Sequence, residues 1–444
     1  MAGGALTGVE VASGGDPHRT GLTADALALL ARLERETRDR RGALLRRRLE
    51  RQATFAAGML PTFPAATQRL RDGVFRVATK PPAVPAIAPS AVHFARRLRD
   101  SAAFEPRVVV DGRPVSAALF DLVAAVAASG ANDRRSPVLV RLPAQESHLE
   151  ARLWSEVLRT VRDERALPAG ALAAVIAVET LPALFELDEM VWELSPFAVA
   201  LELDRAELTR STLEKLGDDP NRVAPDLAAL LELHPAAVAT LRHVATVARR
   251  RGLAAWLAPT LPAPDLTALT DPLHGEAAAR AAARLCDELA AAAAAGFDAA
   301  QLADPTHLEL AERRFVALRV AAASLDEAVA AAPAANAALA EELLLPAPGL
   351  RTAAGLAAAI AALLAGDAVA PGGASFRAAG QLETAASTAL HRTLLTQWLR
   401  HSAPLAEGGA VTPERVHAEL AAQATTPLLQ SAAERLAERL ALPA

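Results

Sequence analysis

Short apolar runs alternate with longer amphipathic segments through the middle of the chain. Each run is rich in Val, Ala and Leu, and each is joined to a segment whose apolar residues recur at helical spacing. The runs are residues 136–144, 173–180, 197–204, 252–259 and 297–305. Continuous apolar strands are typical of a parallel sheet that is buried on both faces, and strand–helix alternation builds such sheets. The pattern predicts a barrel or a doubly wound sheet.

The absence of the glycine motifs that mark nucleotide-binding folds favours the barrel over the doubly wound sheet. The chain has neither G-x-G-x-x-G after a first strand nor G-x-x-x-x-G-K-[ST], which doubly wound nucleotide-binding sheets usually carry. We therefore predict an α/β fold with a TIM-type (β/α) barrel over residues 80–306. Active-site groups of that fold lie at the carboxyl ends of strands. Glu179 ends the run "AVIAVET" and is the first candidate.

The flanking regions have other patterns. Residues 1–20 are rich in Gly and Ala and are predicted to be disordered. Residues 21–79 are predicted to form an N-terminal helical segment, and the proline-rich stretch 80–90 no regular structure. Residues 307–444 lack strand patterns and are predicted to form a C-terminal, all-helical domain.

Composition narrows the classes of partner. The 444 residues carry 46 Lys+Arg against 51 Asp+Glu, so no overall charge favours nucleic acid or an anionic membrane. The arginine run at 46–48 belongs to the segment 22–58, in which acids such as Glu34, Glu36, Asp39 and Glu50 interleave with the arginines, and this favours a solvated, salt-bridged helix face. The single Cys286 excludes an internal disulfide and is predicted to be a small buried helix residue. With no signal-peptide pattern and no bilayer-length apolar run, a cytoplasmic protein is expected.

Two neighbouring motifs carry a resemblance to a known family. "LPAQESHLEARLWSEV" followed by "AVIAVETLPALFELDEMVWEL" resembles the core of malate synthases, where L-P-K-M leads into E-S-H-L-E-A-R-L-W-N and the next strand ends I-E-T-[LI]-P-A. "VVVDGRPVSAALFD" and "QLETAASTALHRTLLTQWLRH" are similar to further motifs of that family, in its shorter, A-type form. The likeness covers most of the chain and agrees with the barrel.

The resemblance implies a reaction and its cofactors. Malate synthases condense acetyl-CoA with glyoxylate and water to give malate and CoA. A Mg²⁺ ion held by two carboxylates polarises the aldehyde, an aspartate takes a proton from the acetyl methyl group, and an arginine stabilises the enolate. For this chain, the resemblance implies Mg²⁺ as cofactor, acetyl-CoA as co-substrate and glyoxylate as substrate.

The implied metal ligands can be placed by the motifs. The first falls on Glu179, which is intact in "VET". Counting forward without gaps puts the second on Glu207, where the family has aspartate, and a slip in register would put it on Asp204. Oxygen ligands of this kind suit a hard cation.

The implied catalytic residues have changed more. The enolate-stabilising arginine falls on Arg97, with Arg99 second, although two arginines on a solvated helix face are the favoured interpretation. The general-base aspartate is replaced by Thr384, whose hydroxyl cannot take a carbon-bound proton unaided. Glu383 is adjacent, but neighbouring helix positions point about 100° apart.

Other differences from the malate synthase motifs also put the activity in doubt. The lysine of L-P-K-M is Ala144, and the family's early barrel motifs are largely absent, so residues 80–106 replace several early strands. Three functions stay open: a malate synthase-like enzyme, a non-catalytic homologue with a binding or assembly role, and a CoA-ester lyase-like enzyme.

The remaining candidates are predicted to be structural. His148 is expected to order the first turn of its helix rather than bind a metal. Trp154, Trp192 and Trp398 fall at helical spacing with leucines and are predicted to lie in the core. The acids after the strand end, Glu186, Asp188 and Glu189, are predicted to lie on a solvated helix face.

Overall fold

The computed structural model describes a mixed α/β chain in six stretches of sequence. These are residues 6–11, 21–89, 95–128, 137–318, 336–369 and 375–442. The strands are β1 (Val9–Val11), β2 (Ile87–Pro89), β3 (Arg96–Arg97), β4 (Phe104–Val110), β5 (Arg113–Ser116), β6 (Val138–Arg141), β7 (Leu172–Val178), β8 (Ala198–Leu203), β9 (Ala254–Leu257), β10 (Ala263–Pro264), β11 (Ala299–Leu302), β12 (Phe376–Ala378) and β13 (Gln381–Glu383).

The helices connect and cover these strands. As far as residue 311 they are α1 (Ala24–Ala56), α2 (Gln68–Asp72), α3 (Ala117–Ala128), α4 (His148–Glu164), α5 (Leu187–Glu193), α6 (Arg205–Leu216), α7 (Leu227–Leu230), α8 (Pro235–Arg251), α9 (Gly275–Ala295) and α10 (Leu308–Ala311). Later helices are Ala337–Leu343, Ala353–Ala368, Ala385–Arg400, Pro413–Gln423 and Pro427–Arg439. In the described ranges, no helix combines the length and the apolarity needed to span a bilayer.

Seven strands form one parallel sheet in the order β2-β11-β9-β8-β7-β6-β3. Strand neighbours pair in parallel throughout. The five apolar runs of the sequence are β6, β7, β8, β9 and β11, so these predicted strands and the barrel-type fold are confirmed. Burial explains their composition, because every residue of β7 and of β8 is buried.

The sheet is a curled part of a barrel rather than a flat layer. Its two edge strands, β2 and β3, are consecutive in the chain, and only seven peptide steps separate Pro89 from Arg96. Seven steps span at most about 25 Å, so the edges of the sheet cannot be far apart. Within the described residues no strand pairs β2 with β3, which agrees with a barrel lacking early strands.

Alternation along the strands gives the sheet two different faces. Leu172, Ala174, Ile176 and Val178 of β7 point outward into the large core shared with the surrounding helices. On the inner face, a second apolar cluster fills the lower part of the barrel; it consists of Ala95, Ala173, Val175, Val199, Ala200, Ala254, Trp256 and Ala299. Above this cluster, toward the carboxyl ends, the inner face becomes charged.

The N-terminal part differs from the sequence prediction in two places. β1 lies inside the stretch predicted to be disordered and pairs antiparallel with β4 of the β4–β5 hairpin; residues 1–5 and 12–20 lie outside the described ones. β2 lies inside the proline-rich stretch predicted to lack regular structure, where it pairs with β11. In both cases a partner strand supplies the hydrogen bonds, which local sequence cannot reveal.

Within its described residues, the C-terminal part consists of helices, the loops between them and one hairpin. Its core surrounds Trp398, which is fully buried and donates its indole N–H to the Ala224 carbonyl at 2.9 Å. The β12–β13 hairpin interrupts the helices and pairs antiparallel with β10, so the prediction of an all-helical domain is wrong at this point. Pairing with β10 places Glu383 and Thr384 next to the barrel.

Two predictions about exposure are also wrong. Glu186, Asp188 and Glu189 are all at least nine-tenths buried, because arginines from distant segments reach them. Arg251 donates to Asp188 at 2.5 Å, Arg71 pairs with Glu189, and Arg51 approaches Glu186 at 3.4 Å. Trp192 is about half exposed and stacks edge-on with Phe75, whereas Trp154 and Trp398 are buried as predicted.

Candidate functional site

The charged upper layer of the inner face is built from four strand ends. Arg97 ends β3, Arg141 ends β6, Glu179 directly follows β7, and Asp204 directly follows β8. Glu202 lies two residues before Asp204 and therefore on the same face of β8. Because neighbouring parallel strands end at the same edge of a sheet, side chains that are far apart in sequence meet here.

Arg141 is the centre of this layer. Its Nη2 donates to Glu179 Oε2 at 2.6 Å, and its Nε donates to Glu202 Oε1 at 2.8 Å. The same Nη2 lies 3.8 Å from Asp204 Oδ2. The Arg141 side chain is only 5% exposed, so one guanidinium bridges three carboxylates that are themselves shielded from water.

Arg97 approaches the same carboxylates from the open end of the barrel. Its Nη2 lies 3.3 Å from Asp204 Oδ2 and 3.9 Å from Glu179 Oε2. More than half of its side chain, 55%, is exposed, so solvent reaches the guanidinium. Arg97 belongs to a strand, and the alternative of a solvated helix face is wrong for this residue. Arg99 instead pairs with Asp121 and Glu105, outside the charged layer.

The pKa values follow from burial and from these arginines. Burial alone would raise the pKa of Glu179, but the charge and hydrogen bond of Arg141, helped by Arg97, outweigh it and lower that pKa. Burial raises the pKa of Asp204 to about 6, since the nearby Glu179 carboxylate adds to the rise and Arg141 only partly opposes it. For Arg141, burial would lower the pKa, yet the carboxylates raise it, so the guanidinium stays charged.

Glu207 lies outside this charged layer, one turn into α6. Its carboxylate receives a hydrogen bond from Arg210 Nη2 at 2.7 Å. Asp204 caps the same helix, because its Oδ1 accepts the Glu207 backbone N–H at 3.0 Å. The carboxylate that faces Glu179 across Arg141 is therefore Asp204, the position reached by a slip in register. That Glu179 and Glu207 bind Mg²⁺ stays a prediction.

We tested whether the strand-end carboxylates fit the Mg²⁺ ion that the resemblance implies. Mg²⁺ requires near-octahedral oxygen ligands at about 2.0–2.1 Å. Here the guanidinium of Arg141 already bonds to Glu179 and Glu202 and adjoins Asp204. In the part of the chain that the structure describes, no three His, Cys, Asp or Glu side chains are arranged to hold a metal ion. This arrangement does not fit Mg²⁺.

Thr384 has a structural role at the start of the helix Ala385–Arg400, which we call the capped helix. The Thr384 hydroxyl accepts the Ser387 N–H at 3.4 Å, and the Ser387 hydroxyl accepts the Thr384 N–H at 2.7 Å. This reciprocal pair is a capping box, which satisfies backbone donors that the helix cannot pair itself. Thr384, which the resemblance predicts to lie at the general-base position, therefore caps a helix.

Glu383 faces into the protein. Its side chain is 3% exposed, and its Oε1 lies 3.1 Å from His391 Nε2, on the next turns of the capped helix. Burial lowers the pKa of Arg284, and the charge of Glu383 partly opposes that decrease. Among the described contacts, none joins Glu383 or Thr384 to the charged layer around Arg141.

His148 orders the start of α4, as predicted. Its Nδ1 lies 2.6 Å from Glu186 Oε2, and the same oxygen accepts the His148 backbone N–H at 2.9 Å. The hydrogen bond with Glu186 raises the pKa of His148, although burial opposes it. Cys286 lies half-buried on α9 as a free thiol.

Sequence reasoning missed Arg141 and Glu202. Both are single charged residues inside apolar strand runs, "VLVRL" and "VALEL". A lone charge in a strand that is buried on both faces needs a partner of opposite sign, because a buried unpaired charge is costly. Two such residues of opposite sign, on strands separated only by β7, were the available signal.

Comparison with known proteins agrees with the fold. The fold and the charged strand ends define a (β/α)-barrel protein with its site at the carboxyl edge of the sheet. The profile of the malate synthase TIM barrel domain matches residues 97–345, more than half of the chain. The chain belongs to the malate synthase family.

The relatives are distant. Malate synthase from Oryza sativa subsp. japonica is 28% identical, over 92% of this chain and 85% of its own length. Malate synthase from Myxococcus xanthus is 26% identical over 46% of this chain, and malate synthase A from Escherichia coli is 29% identical over 61%. The matches to these last two span 50% and 49% of their lengths, about half of each protein.

Proposed function

We propose that this chain is a malate synthase homologue that keeps the barrel as a binding or assembly scaffold and does not condense acetyl-CoA with glyoxylate. The observation that carries the proposal is the role of Thr384 as the N-cap of the capped helix. The reaction needs a base that can take a proton from a carbon acid, and a threonine hydroxyl engaged in a capping box is not such a base.

The neighbouring acid does not repair this loss. The Glu383 carboxylate is buried against His391, and its second oxygen, Oε2, has no hydrogen-bond partner among the described residues. A general base must reach the proton that it abstracts within hydrogen-bond distance. Glu383 contacts the interior of the C-terminal region rather than the strand-end layer, which supports a structural role for it.

The charged layer around Arg141 is a second observation that supports the proposal. The carboxylates already share a guanidinium and do not fit Mg²⁺, so these residues do not support a metal-dependent condensation. Lewis-acid activation of an aldehyde is the chemistry that the ion supplies in this family when bound.

A second candidate is malate synthesis itself, and the position of Arg97 favours it. The resemblance assigns enolate stabilisation to Arg97, and this guanidinium is half exposed at the open end, 3.9 Å from Glu179. A fixed positive charge there could stabilise a developing enolate oxygen. The lyase-like alternative has no separate observation in its favour.

An assay for free thiol separates the two candidates. Purified chain is mixed with acetyl-CoA, glyoxylate and Mg²⁺, and the CoA thiol released is compared with that from Escherichia coli malate synthase A under the same conditions. We expect no release above the rate without glyoxylate. Release by the wild-type chain that disappears in Glu179→Gln would overturn the proposal.

A Thr384→Asp variant is the matched comparison, because aspartate also caps helices well. We expect it to fold and still to release no thiol, since Arg141 remains between the carboxylates. Release by Thr384→Asp alone would show that the missing acid is the only defect, and the strand-end argument would then fail as a second reason for inactivity.

A further inference from the structure

The Arg141 side chain has the environment of a bound cation. Its side chain is buried on the inner face of the curled sheet, and its two donor nitrogens reach carboxylates from different strands, Glu179 after β7 and Glu202 within β8. A metal ion at a strand edge joins ligands from separate strands in the same way. The guanidinium therefore neutralises the acidic layer and ties β6, β7 and β8 together.

Carboxylates are the described ion-pair partners of Arg141. Its ion-pair partners are Glu179, Glu202 and Asp204, all less than about a tenth exposed. Arg97 adds a second positive charge on the solvent side of Glu179 and Asp204. Three carboxylates thus face two guanidinium groups, which leaves no large excess of negative charge to attract a divalent ion.

We propose that the Arg141 guanidinium is a built-in substitute for the divalent cation of the family, and that the wild-type site is closed to Mg²⁺ and Mn²⁺ because the guanidinium occupies the carboxylates. Glu179 and Asp204 are otherwise oxygen ligands of the right kind for such ions. Removal of Arg141 should therefore open a cation site in this chain. The inference goes beyond the proposed function, because it holds whether or not the chain catalyses a reaction.

The test is a titration with Mn²⁺ followed by its electron paramagnetic resonance signal, which falls when the ion binds. The wild-type chain should bind no Mn²⁺ at the strand ends. Arg141→Gln should bind one ion, with an affinity at least roughly tenfold above the weakest binding that the titration detects, since the repelling charge is gone. Arg97→Gln is the matched control, because it removes an exposed arginine from the same carboxylates; it should bind far less than Arg141→Gln.

A double variant assigns the site. Arg141→Gln/Glu179→Gln should lose the binding that Arg141→Gln gains. If Arg141→Gln folds poorly, its melting temperature in the presence of Mn²⁺ gives the same answer, because an ion that binds only the folded chain raises it. Wild-type binding that is lost in Glu179→Gln would overturn the inference, as would an Arg141→Gln variant that folds and binds no ion.

The thiol assay and the Mn²⁺ titration can fail separately. Wild-type turnover without strand-end Mn²⁺ binding would overturn the proposed function and leave the role of Arg141 intact. Strand-end Mn²⁺ binding without turnover would do the reverse.

Discussion

The strand ends of the barrel and the start of the capped helix have diverged in different ways. At the strand ends the charged residues are still present, but they are paired with one another inside the protein, with Arg141 between Glu179 and Glu202. At the capped helix the resemblance predicts an aspartate, and this chain has the neutral Thr384, which caps the helix. The resemblance to malate synthases predicts a site residue in each region, Glu179 at the strand ends and Thr384 at the helix start.

The difference reflects the physics of each place. A carboxylate buried inside a barrel is costly without a positive partner. If no metal ion binds it, a side-chain cation such as an arginine must pair with it. A residue at a helix start needs only a side-chain oxygen for the free backbone N–H groups, and threonine supplies it. The buried acids at the strand ends therefore depend on paired arginines, whereas a helix start can be capped equally by an acid or by a neutral hydroxyl.

The largest expected effect comes from removing the buried guanidinium of Arg141. Arg141→Met should lower the free energy of unfolding by about 3–5 kcal/mol, because it removes the described ion-pair partner of Glu202 and leaves Glu179 and Asp204 only the exposed Arg97. Arg97→Met removes an exposed partner of the same acids and should cost no more than about 1 kcal/mol. Urea denaturation of both variants measures the contrast. Equal losses would mean that Arg141 is not the cation on which the layer depends.

A smaller effect is expected at the helix start. Thr384→Ala should lower the free energy of unfolding by about 1 kcal/mol, because it removes one side of the capping box. Thr384→Asp should cost much less, since aspartate also accepts the N–H of Ser387. If alanine and aspartate were equally harmless in thermal denaturation, the capping role assigned to Thr384 would be wrong.

The smallest effect concerns pH and a site that belongs to neither region. The hydrogen bond with Glu186 raises the pKa of His148, so protonated His148 stabilises the folded chain. This contribution is fully present below the unfolded pKa of about 6.5 and is lost as the pH rises through the higher folded value. The loss of unfolding free energy in His148→Gln should therefore be larger at acidic than at alkaline pH. A pH-independent difference between variant and wild type would contradict the pairing.

Periodicity and motif order predicted most of the fold, because buried parallel strands leave a strong local pattern. The strand that ends at Glu179 is one example, and the helix that starts at His148 is another. β1 and β2 were missed because a short strand depends on its partner, and the acids of α5 were misplaced because Arg71 and Arg251 are distant in sequence.

The candidate site was predicted in part. The sequence brought Glu179, Asp204 and Arg97 into consideration, and the structure places all three at one edge of the sheet. Arg141 was missed because no motif marks it and its role arises only when three strands are side by side.

The claim that the Arg141 guanidinium takes the place of a divalent ion is tested most directly by the free energy of unfolding with and without Mg²⁺. We predict that about 10 mM Mg²⁺ leaves the wild-type value unchanged, because the carboxylates are already occupied by Arg141. A site with a dissociation constant a hundredfold lower than that concentration would instead add about 2.7 kcal/mol. An increase of that size, absent in Glu179→Gln, would contradict the account.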